Sequence, residues 1–158
     1  DIVIKDLSDN NTIEINASNN NLGFGDYEFS LDNEFGPFQG DTTFSNVSAG
    51  IHTIFVRDKR GCGTTSVEVS VIGYPKFFTP NNDGYNDYWQ IKGLRSDFQP
   101  ESIIYIFDRQ GKLIKQLDPL NNGWDGTYNG QALITNDYWF SLFLQDGRVV
   151  KGHFTLKR

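Results

Sequence analysis

Turn-forming residues cut this chain into pieces too short to coil. Gly, Asn and Asp recur along most of it, leaving apolar runs of roughly four to eight residues, the length of a strand rather than a helix. Those runs are rich in Val, Ile, Thr, Phe and Tyr, which suit a pleated, half-buried surface. The spacing predicts strands over residues 2–4, 12–16, 27–31, 42–47, 52–57 and 66–72. Beyond the Tyr74-Pro75 break it predicts 76–78, 88–91, 102–107, 112–116, 138–144 and 149–156. Val67-Glu68-Val69-Ser70-Val71 alternates, so its valines face inward. Ile103-Ile104-Tyr105-Ile106-Phe107 does not, which predicts a strand covered on both faces.

Turn chemistry supplies the pairings. Asp146-Gly147 predicts a two-residue hairpin, because both residues tolerate φ > 0. Arg109-Gln110-Gly111 and Lys59-Arg60-Gly61 read as hairpins with glycine at the left-handed position. Dense strands at this spacing predict an all-β chain of two tandem antiparallel β-sandwich domains. A boundary near Gly73-Tyr74-Pro75 is supported by charge: residues 1–73 carry 11 acidic and 4 basic side chains, residues 74–158 carry 9 and 10. Segments this short bury only about 60% of their unfolded surface. The 15% aromatic content compensates, since each ring buries ~150–250 Å².

Composition removes several function classes. A net charge of −6 argues against a nucleic-acid partner, which needs a basic face. One cysteine excludes an intrachain disulfide framework, and no apolar run approaches the roughly 20 residues of a membrane-spanning helix. The chain opens on Asp1-Ile2-Val3-Ile4 with neither methionine nor signal peptide, and reads as the tail of something longer.

Little nominates catalysis, and the reading is non-enzymatic. His52 and His153 each sit inside a strand pattern with no nucleophile at a recognisable spacing, so both read as half-exposed strand residues. Cys62 reads as a small buried hydrophobe, with a reactive thiol kept open by nearby Arg57, Lys59 and Arg60. Thr79-Pro80-Asn81-Asn82-Asp83-Gly84-Tyr85-Asn86-Asp87 spaces oxygen donors around a glycine, as a hard cation requires. Asn81, Asp83, the Tyr85 carbonyl and Asp87 are the candidate Ca²⁺ ligands. The initial Asp and terminal Glu of a tight EF-hand are missing, so the site is weak or the loop is a turn cluster. Trp124 and Trp139 read as core, with a carbohydrate platform as the rival.

The segment from Tyr74 through Tyr85-Asn86-Asp87-Tyr88-Trp89 resembles the opening of the gliding-motility-associated C-terminal domain. That is the type B sorting domain of the Bacteroidetes type IX secretion system. The resemblance continues in Ile106-Phe107-Asp108-Arg109-Gln110-Gly111-Lys112-Leu113, in Gly123-Trp124-Asp125-Gly126-Thr127-Tyr128-Asn129-Gly130 and in Asp137-Tyr138-Trp139-Phe140. It closes on Lys151-Gly152-His153-Phe154-Thr155-Leu156-Lys157-Arg158, and so covers 74–158. Asn82 departs from the family, which usually has Gly there. Residues 1–73 are similar to the Ig-like or PKD-like repeats that precede this domain in large surface adhesins.

The resemblance implies a secretion signal that directs a large exported protein across the outer membrane, to the cell surface or medium. Its implied partners are the outer-membrane type IX translocon and its shuttle and β-barrel proteins, with the isolated chain a monomer. Recognition is expected in the last strand and its hairpin: Val149, Val150, Lys151, Gly152, His153, Phe154, Thr155, Leu156, Lys157 and Arg158. The alternative is a calcium-dependent carbohydrate- or adhesin-type binding module. Exposed tryptophans beside a cation would favour it.

Overall fold

Alternation along each strand decides which side chains meet, and it does so separately in two halves of the chain. In the computed structural model, which describes residues 1–16, 25–61 and 63–158, the chain divides into Asp1–Gly73 and Tyr74–Arg158. Cys62, and with it both readings of its thiol, lies outside the described residues. Among those residues every regular element is a strand.

The first unit is built from two antiparallel three-stranded sheets. β1 (Ile2–Lys5), β2 (Thr12–Ile15) and β4 (Thr43–Ser45) form one, in the order β1-β2-β4. β3 (Tyr27–Leu31), β5 (Gly50–Asp58) and β6 (Thr64–Val71) form the other, in the order β3-β5-β6. Ile13 and Ile15, Phe29, Ile54, and Val69 with Val71 are buried in one cluster with Val47. Both sheets therefore feed a single core, the condition for a sandwich.

His52 departs from its sequence reading. It is buried on β5, with Nδ1 2.6 Å from Asp32 Oδ2 and Nε2 2.8 Å from the Ser48 carbonyl. Asp32, at φ 59 just beyond β3, also accepts the Thr53 N–H through Oδ1. A buried imidazole needs partners at both nitrogens, and this loop supplies them.

The second unit carries a five-stranded sheet in the order β7-β13-β12-β8-β9. Its strands are β7 (Phe77–Phe78), β8 (Ile103–Phe107), β9 (Leu113–Leu117), β12 (Asn136–Phe143) and β13 (Val149–Leu156). β10 (Thr127–Tyr128) and β11 (Gln131–Ala132) make a separate small hairpin. Two details differ from the sequence reading. β7 joins β13 in parallel, in an otherwise antiparallel sheet. Residues 88–91 form no strand: Trp89 makes one bridge, exchanging two 2.9 Å backbone bonds with Trp124. The Gln90 side chain ends the run by accepting the Ile91 N–H and donating to the Asp118 and Asn121 carbonyls.

The core of this unit is aromatic. Phe154 stacks on Trp89 at 3.9 Å and 14°, and meets Trp124 edge-on at 6.1 Å and 79°. Phe78, Phe140 and Tyr138 complete the ring around it. β8 is not covered on both faces, as its continuous run predicts. Ile104 and Ile106 are fully buried, whereas Ile103 is exposed and Tyr105 and Phe107 are half-exposed.

Candidate recognition site

β13 is the chain's last strand, and its two faces do different work. Phe154 and Leu156 point into the core, while Val149, Lys151 and His153 point out. At Gly152 a Cβ would lie 2.8 Å from the Phe140 ring and 2.9 Å from the Tyr74 hydroxyl, so those rings fill the space a side chain would take. Val150 and Thr155 are half-buried on opposite faces. The strand pairs with β12 along its whole length, Phe143↔Val149 to Asn136↔Leu156. It pairs with β7 only at Thr155 and Leu156.

The hairpin that precedes it is not the two-residue turn that Asp146-Gly147 predicts. Leu144 pairs with Arg148 and its carbonyl accepts the Gly147 N–H, leaving a three-residue loop with Gly147 at φ 90. This is a type I turn followed by a left-handed residue. Asp146 organises it, accepting from Arg148 and from Gln99 Nε2 at 2.6 Å. The Arg148 guanidinium holds the Asp146 carboxyl below its usual range, helped by the Arg148 N–H and Gln99.

Beyond β13 the tail is clamped. Lys157 donates its N–H to the Phe78 carbonyl, and its ammonium lies over the Phe77 ring. Arg158 donates its N–H to Thr135 Oγ1 and its guanidinium to the carbonyls of Leu133, Pro80 and Gly126. Gly126, at φ +79, has no room for a Cβ, which would sit 2.6 Å from Leu156. Sequence reasoning missed this clasp, since carbonyl acceptors leave no signature in side-chain types.

The Asn81–Asp87 loop uses its carboxylates internally. Asp87 accepts the N–H groups of Asn81 and Asn82 on one oxygen and of Gly84 on the other. Asp83 accepts from the Tyr85 N–H and the Asn81 side chain, which hold its carboxyl below the usual value. Tyr85 is 78% exposed. Among the described residues no three His, Cys, Asp or Glu side chains gather in one group. Asn82 sits at φ 61, which explains its departure from the family: the position is left-handed, where Gly is natural and Asn the next-best residue.

The tryptophans divide. Trp89 and Trp124 are buried, with indole N–H groups bonded to the Pro75 and Thr127 carbonyls. Trp139 is 39% exposed on the outer face of β12, between Phe107 of β8 and His153 of β13. His153 lies 6.4 Å from the indole, with no nucleophile assembled around it. An open cavity of about 500 Å³ lies here, also lined by Arg109, Ser141 and Lys151.

Three solved structures are similar over 99% of this chain. They are a biofilm-associated protein BSP domain (11% identity, TM-score 0.33), the dimeric latent PorU of Porphyromonas gingivalis (13%, 0.35) and three N-terminal domains of the bacteriophage RB49 outer capsid protein Hoc (10%, 0.31). The chain spans 29%, 20% and 58% of their lengths, respectively. No curated protein matches it significantly. The CHU_C type IX secretion signal domain matches residues 72–156, the segment that holds the aromatic core, the hairpin and β13. The chain belongs to the type IX secretion signal domain family, whose members direct export across the outer membrane to the cell surface or the medium.

Proposed function

We propose that the export signal is read as a folded unit, through the open edge of β13 at Val149–His153 and the hairpin beside it. The observation that carries this reading is the half-paired strand. Thr155 sends its N–H to the Lys76 carbonyl on the β7 side, so by ladder alternation Val149, Lys151 and His153 aim their backbone groups the same way. No strand pairs with them there among the described residues. An extended segment of a translocon component or its shuttle protein can add a strand at this edge. The Arg158 clasp supports the same reading, since it withdraws the tail from linear capture.

We assign the domain no catalytic role of its own, and the chain as a monomer recognised by other proteins. Residues 1–73 serve as an Ig-like or PKD-like repeat of the exported cargo.

The test is an export assay in a gliding bacterium with a type IX system. The whole chain is fused behind a periplasm-targeted fluorescent reporter. Deleting 149–158 is uninformative, because it removes Phe154 and with it the core. Val149→Pro is the sharper variant: it removes an outward N–H without touching the β12 ladder, as the first residue of an edge strand allows. Reporter retained in the periplasm, with near-UV circular dichroism unchanged, supports strand addition. Normal export of the variant overturns it.

A further inference from the structure

We infer that the outer face of β8, β12 and β13 holds a second site, which binds an acidic saccharide by stacking it on Trp139 and pairing its carboxylate with Arg109 and Lys151. The site is independent of the edge that reads the export signal, since it uses side chains of the sheet face rather than the β13 backbone. Three observations lead to it.

The first is the ring. Trp139 is 39% exposed in the middle of a five-stranded sheet, while the other two tryptophans are 0% and 1% exposed. It lines the open cavity together with its cross-strand neighbours Phe107 and His153. An exposed indole face with polar groups at its rim offers an amphipathic platform, apolar below and hydrogen-bonding at the sides.

The second is charge. Arg109 and Lys151 both line the cavity, and neither has an ion-pair or hydrogen-bond partner among the described residues. Other cations of the chain are held by carboxylates, Arg57 by Glu28, Lys59 by Asp26, Arg95 by Asp97 and Arg148 by Asp146, whereas these two share one cavity. Asp108, the carboxylate in the lining, accepts the N–H groups of Gln110 and Lys112 on one oxygen. Lys151 stands opposite Ser141, diagonal to Trp139, about 7–8 Å away by strand geometry. That separation suits a ring on the indole with an anionic substituent at its edge.

The third is the hydrogen-bonding rim. The Ser141 hydroxyl and the His153 imidazole lie beside the two cations, as donors and acceptors for ring hydroxyls. Two cations beside the Asp108 carboxylate disfavour densely charged polyanions, leaving a sugar with one carboxylate per ring as the fitting ligand. Export carries this face outside the cell.

The test uses the whole chain with trigalacturonate as probe, and a neutral glucose trisaccharide and an acidic hexapeptide as comparisons. Binding is read by calorimetry and by iodide quenching, to which only Trp139 among the three tryptophans is open. Trigalacturonate should bind and protect Trp139, more weakly as salt rises. Trp139→Leu, Arg109→Ser and Lys151→Ser should each weaken it about tenfold or more, with circular dichroism unchanged. Equal binding of the neutral sugar overturns the proposal, as do capture of the peptide instead, full affinity in Trp139→Leu, or no binding at millimolar probe.

Discussion

At the scale of single residues, a few side chains carry most of the second unit. Phe154 touches five aromatic rings at the centre of its core. Phe154→Ala should cost about 3–5 kcal/mol, a large share of a small domain's stability, and lower the denaturant midpoint accordingly. His52→Leu in the first unit removes the buried imidazole that bonds Asp32 and the Ser48 carbonyl, two bonds that should together cost about 1–3 kcal/mol by chemical denaturation. Asp83 and Asp146 titrate below their ordinary value of 3.8. Their contributions are therefore complete above that value and lost as pH falls through the lowered ones. Carboxyl resonances followed by NMR should show both midpoints below 3.8, with loop and hairpin amides broadening in the same window.

The candidate cation ligands also belong to this scale. Asp87 accepts three backbone N–H groups, so it ties the loop together through its own hydrogen bonds. Asp87→Ala should therefore disorder residues 81–87, read as lost amide protection, while chelator leaves the wild-type melting temperature unchanged. A rise in that temperature with added Ca²⁺ would instead show that the loop takes the cation.

At the scale of elements, the hairpin decides the most. A two-residue turn at Asp146-Gly147 pairs Gln145 with Arg148, whereas the three-residue loop pairs Leu144 with Arg148. That one-residue difference sets the register, and a slip by one sends every side chain of a strand to the other face. With the observed register Trp139 stands opposite His153 on the outer face, and Tyr138 opposite Phe154 in the core. Turn propensity alone leaves both loop lengths open, which is why the outer cluster was not legible. Gly147→Val should strain φ 90 and cost about 1–2 kcal/mol, without the loss of the aromatic core that Phe154→Ala brings.

At the scale of the whole molecule, each unit closes its own core and the signal lies in the second. Replacing 1–73 with an unrelated folded domain should leave export intact, as measured by the reporter assay. Failure of that fusion would place part of the signal in the first unit.

The strand-and-turn class, the boundary near Gly73 and the aromatic character of the second core were readable directly, because periodicity, breakers and ring content are local properties. The motif glycines were visible too, although their reason was not. Gly126 is required by Leu156 from a distant strand, and Gly123 by the Trp89 carbonyl, 2.5 Å from where a Cβ would lie. Tertiary structure alone decided that β7 stops after two residues of β13, that Arg158 spans three carbonyls, and that Trp139 stays in solvent while Trp124 does not. The physical reason is common to all three. Strand faces and edges are defined only relative to a pairing partner, and those partners here lie tens of residues apart.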